Sequence, residues 1–121
     1  MYNQSKLLNL LFTYELARRL NGTRVTANAV EPGFVKTNMN VPFPFSIFAF
    51  MRGSVEKGAR PTVHLATSPD LESVSGKFFN SEGIEVSSSK PSYDQSAARR
   101  LWELSAQLTQ LPPVGDAAAA R

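Results

Sequence analysis

Apolar residues recur at helical spacing near the start of the chain. Leu7, Leu10, Leu11 and Tyr14 form one stripe, and Leu8, Phe12, Leu16 and Leu20 form a second at i+4 spacing. The pattern predicts a helix from about Asn3 to Leu20. Its apolar arc is unusually wide and calls for cover on more than one side. Asn21-Gly22 supplies a left-handed stop. The period then drops to two: Val25, Ala27 and Ala29 alternate with Thr26 and Asn28, which predicts a strand from Arg24 to Val30. Glu31-Pro32-Gly33 ends it, because proline removes a ladder donor and glycine permits a turn.

From Asn38 to Gly53 the chain is strongly apolar, with Val41, Phe43, Phe45, Ile47, Phe48, Phe50 and Met51 around Pro42 and Pro44. A buried segment, a lid over an apolar substrate and a segment that dips into a membrane surface all fit this composition. Arg52 and Lys57 keep the last reading open. Ser54 is a suitable N-cap for a helix from Val55 to about Thr67, with Pro61 inside it and Gly58 nearby to ease a bend. Ser68-Pro69-Asp70 stops that helix. Gly76 to Asn80 reads as a second strand around Phe78 and Phe79, followed by a polar Ser-rich loop. Ser92-x-x-Gln95 matches a capping box and opens a last helix to about Leu108. Ala97, Leu101, Leu104 and Leu108 are its expected inward stripe, with Trp102 as an added anchor. Residues 111–121 read as a flexible tail.

Composition narrows the picture by exclusion. A chain of 121 residues holds one domain at most. The net charge of +3 is modest, and no basic run interleaved with aromatics points to nucleic acid. With no cysteine there is neither a disulfide scaffold nor thiolate chemistry, which fits a reducing cytoplasm. His64 has no acid, cysteine or second histidine at ligand spacing, so no metal site is expected. No charged leader precedes an apolar core at the amino terminus, and no apolar run reaches the ~20 residues a membrane helix needs.

The candidate chemistry stands at the head of the first helix. Tyr2 and Lys6 are four apart and share a face. A phenol with its ordinary pKa near ~10 is a poor acid or base at neutral pH. A neighbouring ammonium and the positive end of the helix dipole both favour its phenolate. That is the tuning a general acid–base requires.

Tyr2-x-x-x-Lys6 alone is a weak signal. Followed about thirty residues on by Pro32-Gly33-Phe34-Val35-Lys36-Thr37, it is a strong one. With Ser75-Gly76-Lys77-Phe78-Phe79 and Arg99-Arg100-Leu101-Trp102-Glu103-Leu104-Ser105, the chain resembles the short-chain dehydrogenase/reductase family over roughly residues 2 to 108. The likeness is to the carboxy-terminal half of the retinol-dehydrogenase-like branch. It implies an α/β fold: the carboxy-terminal part of a Rossmann-type doubly wound parallel sheet, incomplete, with about two strands and three to four helices in residues 1–110. It also implies an NAD(P)-dependent oxidoreductase that moves hydride between nicotinamide C4 and a carbonyl or alcohol carbon. Tyr2 would then give or take the oxygen's proton, and Lys6 would lower the Tyr2 pKa and bind the ribose hydroxyls. Pro32 and Gly33 would wall the nicotinamide, the Val35 backbone would meet its carboxamide, and the Thr37 hydroxyl would meet the carboxamide or diphosphate. Met39, Phe43 and Phe48 would cover a small lipophilic substrate. In this family the first helix often packs against a second subunit, which makes a homo-oligomer a further expectation.

The glycine-rich phosphate turn, the residue that selects NAD or NADP, and the remaining catalytic Ser and Asn of the family do not occur in these residues. The chain therefore reads as a fragment or truncated product, inactive by itself. The alternative is a non-catalytic fragment that acts by apolar association with a partner or a membrane surface.

Overall fold

The computed structural model describes residues 2–33 and 54–110. The first helix, α1, spans Tyr2–Arg19, within a residue of expectation at either end. It unwinds through Asn21 N–H to Arg18 O (3.3 Å) and Thr23 N–H to Leu20 O (3.0 Å), and Gly22 takes the left-handed φ of 82° that stops it. Its two apolar stripes are not covered alike. Leu11 and Tyr14 are buried, whereas Leu8 and Phe12 keep 44% and 39% of their surface. Cover on both sides is thus incomplete among the described residues.

The alternating run after α1 makes a much shorter strand than its pattern predicts. β1 is Ala29–Val30 and pairs in parallel with β2, Phe78–Phe79, in the register Ala29↔Phe78 and Val30↔Phe79. The expected strands Arg24–Val30 and Gly76–Asn80 are both corrected inward, because side chains take over at the amino-terminal end of the ladder. Ala27 N–H bonds Ser75 Oγ, and Lys77 N–H bonds Asn28 Oδ1. The Asn28 amide also donates to Val74 O at 2.7 Å. Thr23 meanwhile holds Val25 N–H with its hydroxyl and keeps the chain in the preceding turn. Backbone pairing continues beyond the two-residue strands through Gly76 N–H to Ala27 O and Glu31 N–H to Phe79 O. Phe79, 3% exposed, is the core residue of the sheet.

α2 spans Val55–Thr67 and starts as expected, with the Ser54 hydroxyl accepting Lys57 N–H. Pro61 lies buried inside it, which leaves one carbonyl of the preceding turn without its usual intrahelical partner. Ser68 closes the helix, and a short 3₁₀ turn follows at Pro69–Leu71.

α3 spans Gln95–Thr109 and corrects two expectations. Its N-cap is Asp94, whose carboxylate accepts Ser96 N–H at 2.9 Å and Ala97 N–H at 3.0 Å. Ser92 is no cap. It is 1% exposed within the 3₁₀ turn Lys90–Tyr93, and its hydroxyl donates to Ser89 O. Ala97 and Leu101 of the predicted stripe are half-buried, with Ala98, Trp102, Ser105 and Ala106 beside them, while Leu104 and Leu108 stay 48% and 85% exposed. The helix is rotated from its predicted stripe because its aromatic neighbours fix the angle. Phe12 stacks on Trp102 (5.1 Å between centroids), and Tyr14 stacks on Tyr93 (5.4 Å). Such pairs each add about 0.5–1.5 kcal/mol beyond area burial. Among the described residues, three α-helices and a two-stranded parallel sheet make an α/β arrangement compatible with part of a Rossmann-like domain.

Candidate active site

Tyr2 is the first residue of α1, and Lys6 stands one turn along on the same face. The Lys6 ammonium lies over the Tyr2 ring at 5.2 Å from its centroid, where the negative face of the ring attracts a cation. Tyr2 is 63% exposed. The Ser5 hydroxyl donates to Tyr2 O at 2.7 Å and ties down the first turn. α1 carries no acidic residue in that turn, so no carboxylate of the helix competes for the ammonium. A phenol that donates or accepts one hydrogen bond, beside an ammonium with three donors, suits a polyol or a reacting oxygen.

Pro32 and Gly33 follow β1 at its carboxyl end. Gly33 has a φ of 72°, and a Cβ built there would lie 2.7 Å from Ser81 Cβ. Glycine is required at this point twice over, by backbone conformation and by space. The turn after β1 is thereby pressed against the turn after β2, so the carboxyl ends of both strands meet. In open α/β sheets that is the side where ligands bind. Val35, Thr37, Met39, Phe43 and Phe48 lie outside the described residues.

Among the described residues, no hydrogen bond, ion pair or aromatic contact links Tyr2 or Lys6 to Pro32 or Gly33. Two grooves lie elsewhere among the described residues. One of about 670 Å³ runs between β1 and α2, lined by Thr26, Asn28, Val30, Thr62 and Leu65 among others. Another of about 470 Å³ lies between α1 and the residues preceding β2 and α3, with Tyr14, Arg18 and Tyr93 on its wall. No group of three or more potential metal ligands occurs among the described residues, and His64 is exposed.

Two polar clusters lie further along α1, at Tyr14 and at Glu15. The first joins α1 to the residues before α3. Ser92 donates its only proton to Ser89 O at 2.6 Å, so Ser88 must donate to Ser92 Oγ, and Tyr14 in turn to Ser88 Oγ. Burial pushes the Tyr14 phenol above its ordinary value. Tyr93 is held below its own by hydrogen bonding with Ser88, whose N–H donates to its oxygen. The second cluster is Glu15 with Arg18 and Arg19, a pattern the i+3 and i+4 spacing could have disclosed. No helix among the described residues is long and apolar enough to cross a membrane.

No protein-family model matches the chain. Individual relatives do. The chain is 44% identical over 114 residues to human (Homo sapiens) retinol dehydrogenase 14, covering 86% of this chain and 33% of that protein. It is 40% identical over 112 residues to retinol dehydrogenase 12 of Mus musculus, covering 88% of this chain and 35% of the relative. It is 37% identical over 115 residues to the WW domain-containing oxidoreductase of Pongo abelii, covering 90% and 28% respectively. The chain thus spans about a third of the length of the relatives it matches. The spacing of Tyr2, Lys6, Pro32 and Gly33 and these identities lead to one conclusion: the chain belongs to the short-chain dehydrogenase/reductase family of oxidoreductases, in its retinol-dehydrogenase-like branch, and corresponds to part of the length of those proteins.

Proposed function

We propose that the chain is the carboxy-terminal, proton-transfer part of an NAD(P)-dependent oxidoreductase acting on a small lipophilic carbonyl or alcohol. The observation that carries this is the Tyr2–Lys6 pair at the head of α1, with the ammonium 5.2 Å from the ring centroid. Tyr2 moves the proton at the substrate oxygen. Lys6 offers donors to ribose hydroxyls beside the Tyr2 ring. A bound nicotinamide supplies or accepts the hydride. The residues present suit its ribose and nicotinamide end: Tyr2, Lys6, Pro32 and Gly33, with Val35 and Thr37 proposed for the carboxamide and diphosphate side. They do not suit the diphosphate itself, since no glycine-rich phosphate turn occurs in the sequence. The choice between NAD and NADP therefore lies outside these residues, and the chain alone is expected to be inactive. Met39, Phe43 and Phe48 are the proposed substrate cover.

The test is Tyr2→Phe in the chain joined to the part of a relative that it does not span. The change keeps the ring and removes the proton, so turnover should fall by about 10²–10⁴-fold with cofactor affinity little changed. Turnover within a few-fold of the parent would refute the assignment.

Exposed Leu8, Phe12, Leu104 and Leu108 favour a second reading, in which apolar association with a second copy or a membrane surface accompanies or replaces catalysis. Light scattering on the chain alone separates the two, since a strictly monomeric species that ignores vesicles excludes association. The lack of cysteine fits a cytoplasmic location.

A further inference from the structure

The groove of about 470 Å³ beside the carboxyl end of α1 is lined by groups of one chemical character. Arg18 and Asn21 belong to the end of α1, Ser75 precedes β2, and Tyr93 and Gln95 lead into α3. All of them carry hydrogen-bond donors, and no described carboxylate lines the groove. Several of these donors are uncommitted among the described residues. Glu15 Oε2 takes Arg18 Nε–H and one N–H of Nη2, which leaves Nη1 without an acceptor. The Tyr93 oxygen accepts Ser88 N–H at 3.0 Å, while its own proton has no acceptor. That accepted bond polarises the phenol and strengthens it as a donor. The Ser75 hydroxyl likewise accepts Ala27 N–H at 3.1 Å and keeps its proton. Charge points the same way. Arg18 and Arg19 share the one carboxylate of Glu15, so this end of α1 keeps a surplus positive charge. The rest of the lining is small or aromatic. A Cβ on Gly76 would lie 3.4 Å from Ala17 Cβ, and the Tyr14–Tyr93 stack adds flat ring surface.

We propose that this groove binds a small organic carboxylate with a flat apolar body, an aromatic acid in the simplest case. Arg18 pairs with the carboxylate, the Tyr93 hydroxyl donates to the bound acid, and the body rests against Ala17, Gly76 and the Tyr93 ring. A planar carboxylate suits the free edge of a guanidinium, where Nη1 and Nη2 can give parallel bonds. The volume lies within the ~300–1,000 Å³ of small-molecule sites. A cation would meet only donors and surplus positive charge. An uncharged ring would displace water from those donors without replacing its hydrogen bonds. Ser75 and Gly76 stand at the amino end of β2, opposite to the strand ends that carry Gly33. The groove is therefore separate from the turn proposed for the nicotinamide. An acid bound there ties the end of α1 to the start of α3, and it stabilises the folded chain by mass action.

The experiment titrates the whole 121-residue chain with benzoate and follows its amide and arginine Nε–H resonances. Millimolar benzoate should shift Arg18 Nε–H and the amides of Asn21, Gly76 and Gln95 along one saturating curve, and should raise the thermal midpoint. Benzamide has the ring without the charge, and inorganic phosphate has the charge without the ring. Each should bind about tenfold more weakly or worse. Arg18→Gln should weaken benzoate by about tenfold or more, and Tyr93→Phe, which keeps the ring, by about threefold or more. Arg60→Gln removes the same charge from an exposed position on α2 and should leave the affinity unchanged. Trp102 emission checks that each variant is folded; if Arg18→Gln is not, Tyr93→Phe decides alone. Shifts that scatter over the surface or fail to saturate would overturn the inference. So would benzamide or phosphate binding as tightly as benzoate, or benzoate binding that is indifferent to Arg18→Gln and Tyr93→Phe.

Discussion

Glu15 and Arg18 form a two-point ion pair within α1, Arg18 Nη2 at 2.7 Å and Nε at 3.1 Å from Glu15 Oε2. Arg19 takes the other carboxylate oxygen at 2.8 Å, and its guanidinium lies over the Trp102 ring of α3 at 4.6 Å. Glu15 is only 4% exposed, so a local helix pair has become part of the joint between two helices. Burial raises the Glu15 pKa, but the hydrogen bonds and charges of both arginines outweigh it and hold the carboxyl below its ordinary 4.5.

Acid should loosen this joint. A carboxyl whose folded pKa is depressed contributes its full stability above the unfolded value and loses it as pH falls through the folded one. Trp102 fluorescence followed from pH 7 downward should show unfolding that begins below about 4.5. Glu15→Gln should remove that dependence and cost about 1.5–3 kcal/mol, the range for hydrogen bonds to a charged group. Both guanidinium groups remain more than a third exposed, so solvent screening favours the lower end. An unchanged acid transition in Glu15→Gln would contradict the assignment.

Gly33→Ala should destabilise the chain by about 1–3 kcal/mol, since the new Cβ meets both a left-handed backbone and the Ser81 side chain. Ser81→Gly in the same chain removes the clash but not the backbone strain. It should recover part of the loss and no more. Denaturant midpoints of the two single variants and the double variant measure this, and full recovery would show that backbone conformation does not matter there.

Asp94→Ala should cost about 0.5–2 kcal/mol by removing the N-cap of α3. Gln95→Ala should be nearly neutral, because Gln95 is exposed and its side chain does not cap. Helix content and thermal midpoints of the two variants decide between Asp94 and the capping box that the sequence suggests. A larger loss in Gln95→Ala would restore the latter.

Lys6→Ala, in the chain joined to the part of a relative that it does not span, should lower turnover and weaken nicotinamide binding together if, as proposed, one ammonium serves both the phenol and the ribose. Lys6→Arg should retain more binding than turnover, since the planar guanidinium keeps the charge but not the geometry. A cofactor titration by reduced-nicotinamide fluorescence, run beside steady-state rates, checks this. Loss confined to one of the two parameters would separate the roles assigned to Lys6.

What the sequence determined by itself is local. Helix period, the Gly22 stop and the Ser54 cap fixed α1 and α2 nearly to the residue, because each depends on neighbours within about one turn. The Tyr2–Lys6 pair was legible for the same reason, a four-residue spacing on one helix. Pro32-Gly33 announced a turn, though not that Gly33 would leave no room beside Ser81. Tertiary structure decided the rest. Tyr14 meets Ser88 across 74 residues of sequence, and that contact with the Tyr14–Tyr93 stack buries Ser92 and leaves Asp94 to cap α3. Phe12 and Arg19 on Trp102 set which face of α3 turns inward, leaving Leu108 in solvent. Asn28 grips Val74 O and Lys77 N–H across more than forty residues, which shortens the strand that its alternating pattern predicts. Periodicity records which residues favour burial. Only the partners that arrive from distant sequence determine which of them are buried.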